Sequence, residues 1–113
     1  MAIDVIRPVR LGFGSVAVSP SYTTLRTTPD LSTDIIKCID IANSSASAVT
    51  VAVHLVEDGG TPDAANILFP DVLIEANTIV QWSGTHVLDS GGTVQATASA
   101  TGVNINLSGG NIV

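Results

Sequence analysis

The chain has 113 residues, of which 45% are hydrophobic and 4% aromatic, and its formal net charge is -6. This length suits one domain with a single core of Val, Ile, Leu and Ala side chains. An acidic protein repels phosphates, so we expect no nucleic-acid partner. No apolar run approaches the roughly 20 residues of a membrane-spanning helix, so we expect no membrane insertion.

The first 30 residues are predicted to form an extended N-terminal arm with one or two edge strands. Pro8, Pro20 and Pro29 interrupt this segment. Proline cannot donate the hydrogen bond that a central strand position requires, so edge positions are favoured. An acid and a proline occupy the place of a signal peptide's apolar segment, which argues against Sec export.

The basic residues are confined to the first third of the chain, and they are Arg7, Arg10, Arg26 and Lys37. Acidic residues dominate the remainder. One interpretation is that acids at turns keep a strand-rich surface in solution. The other is that the basic arm docks on an acidic neighbour, such as a second copy of the chain.

The body of the protein is predicted to span residues 31–113 and to begin with a hairpin over residues 33–56. The apolar run 35–41 is followed by small polar residues and then by the run 49–56, in which alternate residues are Val or Leu. This pattern is typical of strands with one buried face. Cys38, the only cysteine, is expected to be a small buried apolar residue without a disulfide.

Two further strand pairs are predicted, over residues 72–82 and over residues 93–108. In the second pair the tripeptide 100–102 forms the turn. Gly-Gly segments at 59–60 and 91–92 read as plain turns, since they lack the alternating acids of a calcium loop. Seven or eight short strands predict an all-β fold, an antiparallel β-sandwich of jelly-roll or Ig-like type, with an extended N-terminal arm.

Catalysis is not expected, because the ionisable groups form no recognisable motif. His54 and His86 have no His or Cys at metal-ligand spacing. No nucleophile elbow or phosphate loop is present. We therefore expect no enzyme activity, no cofactor and no metal. Trp82 is expected to be a core or interface plug, with a shallow carbohydrate site as the alternative.

The surface of the last two strands is the most informative feature for function. Its outward residues are uncharged and hydrogen-bonding, whereas exposed strands usually carry protective charges. Either neighbouring chains cover this face, or the protein is a monomer with a Thr-rich surface. The candidate interface residues are Arg7, Arg10, Tyr22, Arg26, Trp82, Thr97, Asn104 and Asn106.

Several segments resemble small virion proteins encoded in the structural gene clusters of tailed bacteriophages. The shared features are an Asn-Ser-Ser turn at 43–45, a Val-Thr-Val strand ending in His-Leu-Val at 49–56, an Ala-Asn-Thr turn at 76–78 before a Trp, and a closing Ala-Ser-Ala-Thr-Gly-Val at 98–103. The resemblance covers about residues 31–108. The usual Val-Pro-Ala-Gly-like turn before the first body strand is replaced by residues 28–32.

This resemblance implies a non-enzymatic particle component with many copies, most simply a capsid decoration or cement protein that stabilises the assembled shell. The alternative is a tail or head-to-tail component, including a host-surface or glycan-binding module. The implied partners are the major capsid protein or other virion proteins, and further copies of the chain, for which we expect a trimer. The implied location is the virion, after synthesis in the host cytoplasm.

Overall fold

The computed structural model describes the backbone from Ile6 to Val113 and the side chains from Arg10 onwards. Within this range the regular structure consists of β1 (Ile6–Ser15), β2 (Thr23–Thr27), β3 (Thr33–Asn43), β4 (Val49–Val56), β5 (Ile67–Ile74), β6 (Thr78–Leu88), β7 (Thr93–Ala98) and β8 (Val103–Ile112). None of the described residues belongs to a helix long and apolar enough to cross a membrane.

The strands form two four-stranded antiparallel sheets. Sheet A has the order β1-β8-β3-β6, and sheet B has the order β2-β7-β4-β5. Two sheets with these interleaved orders are the eight-stranded jelly roll, which is built from two Greek keys. The predicted all-β antiparallel β-sandwich is therefore confirmed, and the strand order distinguishes the jelly roll from the Ig-like alternative.

The core lies between the sheets and consists of aliphatic side chains from both. From Val103 to Leu107 every second residue of β8 is buried, as expected for a strand with one face towards solvent. β4 differs, because Ala52 and His54 on its second face are also buried. The largest wholly buried side chains are Ile36, Ile39, Ile41, Ile74, Ile105, Leu107, Val49, Val51, Val53, Val56, Val94 and Val103.

The pairing of the three predicted hairpins was wrong, although their strands are present. β3 lies in sheet A and β4 in sheet B, and the same separation holds for β5 and β6 and for β7 and β8. Each polar break crosses from one sheet to the other, over the roughly 10 Å between packed sheets. A period of two in the apolar residues identifies a strand and its buried face, but which strand it pairs with depends on the topology of the whole chain.

Cys38 is half-buried rather than buried, which corrects the expectation for this residue. The registers of β3 with both its neighbours shift between Ile36 and Cys38. A β-bulge adds one residue and so interrupts strict alternation. Ile36 and Ile39 both enter the core as a result, while the Cys38 thiol lies 3.5 Å from the carboxylate oxygen Oδ1 of Asp40.

The described part of the N-terminal segment contributes an edge strand to each sheet, with β1 in sheet A and β2 in sheet B. Leu11, Val16 and Leu25 are less than a tenth exposed and belong to the shared core. Gly12 permits the close approach of these edges, since a Cβ atom there would collide with the carbonyl oxygen of Leu25. A domain boundary at residue 30, and use of the segment as an arm over neighbouring subunits, stay predictions.

Candidate functional site

A groove of about 740 Å³ crosses the outer face of sheet A. It exists because the four strands of this sheet place their outward residues in rows, and the register sets Phe13 opposite Asn106, Asn106 opposite Asp40, and Asp40 opposite Gln81. The residues that line it include Arg10 and Phe13 from β1, Asn104 and Asn106 from β8, Asp40 from β3, and Ile79 and Gln81 from β6. We call this feature the sheet A groove.

Hydrogen bonds and a cation–π contact hold several of these side chains in place. The amide of Gln81 donates from Nε2 to Oδ1 of Asp40 at 2.8 Å. The guanidinium carbon of Arg10 lies 4.8 Å from the centre of the Phe13 ring, within the range at which a cation is attracted to an aromatic face. The groove therefore presents side chains that are already oriented in the free protein.

Exposed apolar side chains stand on both sides of the groove. Phe13 on β1 is 67% exposed, and Ile79 on β6 is 70% exposed. Between them lie amides and one carboxylate, which donate and accept hydrogen bonds. Such a mixture of apolar area and fixed polar groups suits the binding of a ligand or another protein surface.

Arg10, Asn104 and Asn106 are the sequence-predicted interface residues that the fold brings together, since all line the sheet A groove. Phe13 and Ile79 were missed as site residues. The pattern around Ile79 contained the signal, because the inward Val80 and Trp82 imply that residues 79 and 81 point outwards. Alternation with the buried Leu11 would instead place Phe13 on the inner face. The register of β1 shifts between Arg10 and Gly12, and this irregularity turns Phe13 to the outer face.

Thr97 lies on the other sheet, so the uncharged face predicted for the last two strands is divided between opposite sides of the sandwich. Thr97 is also 8% exposed, and its hydroxyl donates to the backbone carbonyl of Ser21 at 2.7 Å. Tyr22 is nearby and 42% exposed. Its ring meets the ring of the buried His54 edge-on, with 5.6 Å between centroids.

Trp82 lies on β6 with its ring partly buried against the core. It stacks on the imidazole of His86 with 4.6 Å between ring centroids, and meets the ring of Phe69 edge-on at 6.4 Å. The contact with Phe69 bridges the edge strands β5 and β6, whereas His86 lies on β6 itself. These contacts favour the core or interface role expected for Trp82 over a carbohydrate site on the outer face.

Two further predicted interface residues are Arg26, which forms an ion pair on β2, and Arg7, which lies in β1. The Arg26 guanidinium donates from Nε to Asp34 at 2.7 Å and from Nη2 to the same carboxylate at 2.9 Å. Hydrogen bonding to Asp34 raises the pKa of Arg26 above its ordinary value. Arg7 lies in β1, paired with Asn111 of β8, and its side chain lies outside the described part of the structure.

His54 contacts an asparagine side chain, and His86 contacts a tryptophan ring. Nδ1 of His54 lies 2.9 Å from Oδ1 of Asn66, and His86 stacks on Trp82. Within residues 6–113, no group of three or more His, Cys, Asp or Glu side chains lies close enough together to hold a metal ion.

No family model matches the chain, and no curated protein sequence matches it. Among solved structures, it is similar to a chain in the structure of the infectious bursal disease virus Gx strain, with a TM-score of 0.50 and 11% identity. That match covers 98% of this chain and 32% of the viral one. A chain in the T13 particle structure of the same virus has a TM-score of 0.49 and 10% identity, with coverages of 96% and 30%.

This chain thus spans about a third of the length of those viral chains. At 11% identity, the first likeness shows the fold and nothing finer. The same jelly-roll arrangement therefore occurs in a chain of a virus structure, where it forms one part of a longer polypeptide.

Proposed function

We propose that this chain is a structural protein of a tailed-bacteriophage virion, and that it decorates and stabilises the assembled capsid. The observation that carries this proposal is the sheet A groove, with exposed Phe13 and Ile79 on either side of amides and the Asp40 carboxylate. An apolar patch with a polar surround is typical of surfaces that bind another protein. The jelly roll and the resemblance of residues 31–108 to virion proteins support the same role.

The partner in this proposal is the major capsid protein or another virion protein. A repeated shell presents the same surface many times, so each copy of a decoration protein needs only a modest interface, and the sum stabilises the particle. The side chains of the sheet A groove form the contact, and residues 1–30, which supply Arg10 and Phe13 to that groove, extend it as an arm. The protein is made in the host cytoplasm and acts without turnover or a cofactor.

A binding experiment with purified particles that lack this chain tests the proposal. Added wild-type protein should co-sediment with the particles, and Phe13→Ser should lower the affinity by about tenfold or more, as expected for an aromatic anchor. Leu73→Ser is the matched control, since Leu73 is 58% exposed but lies on β5 of the other sheet. Equal binding of all three proteins would contradict the proposal.

Copy number separates a capsid role from a tail role. Quantitative mass spectrometry of purified virions should find hundreds of copies per particle for a protein that decorates the shell. A few to some tens of copies would instead favour a tail or head-to-tail component.

The second candidate is a glycan-binding module on a tail, and the composition of the groove is the observation that favours it. Asn104, Asn106 and the Asp40–Gln81 pair supply donors and acceptors suited to sugar hydroxyls. The exposed ring of Phe13 supplies an apolar face beside them. A glycan array should then show signals that both Phe13→Ser and Asn106→Ala abolish, and no signal would count against this candidate.

A further inference from the structure

The two sheets have four edge strands, and they differ in how they are protected against pairing with another chain. β1 contains Pro8 and basic residues, and β5 contains Pro70 followed by Asp71 at a positive φ of 44°. β2 has five residues, among them Arg26. Prolines, charges, irregularities and short length all discourage strand addition at an edge.

β6 is the exception among these edges over Thr78–Ser83, the part that precedes its register shift against β3. It is 11 residues long, contains neither proline nor a charged residue, and is hydrogen-bonded on one side to β3. Two of its apolar side chains face solvent, with Ile79 at 70% and Val87 at 60% exposure. A long, uncharged edge of this kind presents free backbone donors and acceptors for another strand.

The distribution of charge indicates which partner fits. The chain carries a net charge of -6, so two copies repel each other over most of their surfaces. The stretch from residue 76 to residue 88, between Glu75 and Asp89, contains no Asp, Glu, Lys or Arg, and its one titratable side chain is His86. β6 lies wholly within this stretch. The charged side chains that reach it come from β3, where Lys37 donates to Thr85 and Asp40 accepts from Gln81. Two copies can therefore meet at the free edge of β6 without placing charged residues of the paired strands against each other.

We propose that β6 pairs with β6 of a second copy, antiparallel and about a two-fold axis. An antiparallel pair of identical strands is self-complementary, since each residue contact occurs twice. The register of β6 with β3 shifts between Ser83 and His86, so the regular part available for pairing is Thr78–Ser83. Pairing joins two copies of sheet A into one eight-stranded sheet, with the two sheet A grooves on the same outer face.

This inference goes beyond the proposed function and does not depend on it. It also differs from the trimer expected from the resemblance to virion proteins, because an isologous strand pair closes at two copies. The measurement is sedimentation equilibrium of the full chain at high micromolar concentration. The expected mass is twice the 11.5 kDa of one chain, and a monomer or a trimer would overturn the inference.

A pair of charge variants tests whether β6 forms the contact. Ile79→Lys with Ser83→Lys places like charges near each other across the two-fold axis and should weaken the dimer at least about tenfold. Thr24→Lys with Thr27→Lys is the matched control on the exposed side of the β2 edge. It makes the same change in net charge and should leave the dimer intact. Equal weakening by both pairs, or by neither, would contradict the assignment.

Hydrogen exchange of the wild-type protein gives an answer that does not depend on whether a variant folds. The amides of residues 78–83 that do not donate to β3 should exchange at least about tenfold more slowly at high than at low protein concentration. The amides of the β5 edge should show no such dependence. Rapid exchange at the β6 edge in a dimeric sample would show that another surface forms the dimer.

Discussion

Arg26 on β2 and Asp34 on β3 form a bidentate ion pair that joins the edge of sheet B to the interior of sheet A. The carboxylate of Asp34 has no exposed surface. It also accepts hydrogen bonds from the hydroxyl of Thr28 and the amide of Asn111, each at 2.8 Å. One buried carboxylate thus links β2, β3 and β8, and its desolvation is offset by these donors.

Removal of the Asp34 charge should destabilise the fold. Asp34→Asn leaves the Arg26 guanidinium without its ionic partner, and we expect the free energy of unfolding to fall by about 2–3 kcal/mol. The loss is limited because 21% of the Arg26 side chain is exposed. Urea denaturation measures the change. Asp30→Asn, at an exposed neighbouring acid, is the control and should change stability by less than about 0.5 kcal/mol.

The same carboxylate should make stability depend on acid pH. Burial alone would raise the pKa of Asp34, but the hydrogen bonds from Arg26, Asn111 and Thr28 outweigh it, so the pKa lies below its ordinary value of 3.8. A lowered pKa in the folded state means that the stabilisation is fully present above the ordinary pKa. It is lost as the pH falls through the folded-state pKa.

Urea denaturation at a series of pH values from neutral to strongly acidic tests this dependence. The wild-type protein should lose stability more steeply than Asp34→Asn below about pH 4. Parallel curves for the two proteins would show that Asp34 does not carry the effect.

Gly12 and Gly14 on β1 offer a matched test of how closely β1 approaches β2. A Cβ atom at Gly12 would collide with the backbone of Leu25, so Gly12→Ala should reduce the free energy of unfolding by about 1–3 kcal/mol. At Gly14 the nearest neighbouring atom would be a side-chain carbon of Leu25 at 3.7 Å, an ordinary contact. Thermal unfolding that shows equal losses for both variants would contradict this packing of β1.

Asn43 at the end of β3 should be important for the crossing from sheet A to sheet B. Its buried Nδ2 donates to the carbonyls of Ser47 at 2.9 Å and Ile74 at 3.0 Å, and its Oδ1 accepts from the backbone N–H of Ser45 at 3.0 Å. Asn43→Ala removes all of these bonds from a buried site, which should cost about 1–3 kcal/mol.

Ser44→Ala is the control for Asn43→Ala, because the Ser44 side chain is exposed. Denaturant unfolding of both variants gives the comparison. If Asn43→Ala lowers the free energy of unfolding by less than about 0.5 kcal/mol, other contacts hold the crossing from sheet A to sheet B in place.

The candidate site shows which inferences the sequence supports. Asn104 and Asn106 alternate with buried residues on β8, so their outward direction follows from local pattern. Arg10 was selected for its charge, and the fold places it at the same groove. Arg26 was selected for the same reason, yet it has a buried carboxylate as its partner. Charge alone does not distinguish a free surface cation from one in an ion pair.

The sequence by itself determined the class of the fold and most of the aliphatic residues that fill the core of the body. The strand pair predicted over residues 72–82 was too short, because β5 begins at Ile67 and β6 continues to Leu88. The fold class and the core residues follow from local chemistry, because β-branched side chains at a period of two favour a half-buried strand. The break at residues 42–48 was likewise recognisable as a change of direction.

The tertiary structure alone decided which strands pair. Runs 35–41 and 49–56 look like the two arms of a hairpin, yet they belong to different sheets. Backbone hydrogen bonds form between any two strands with little regard to side chain, so sheet membership depends on how the whole chain buries its apolar faces. That choice brings Phe13, Asp40 and Asn106, far apart in sequence, into one groove and leaves β6 at an open edge.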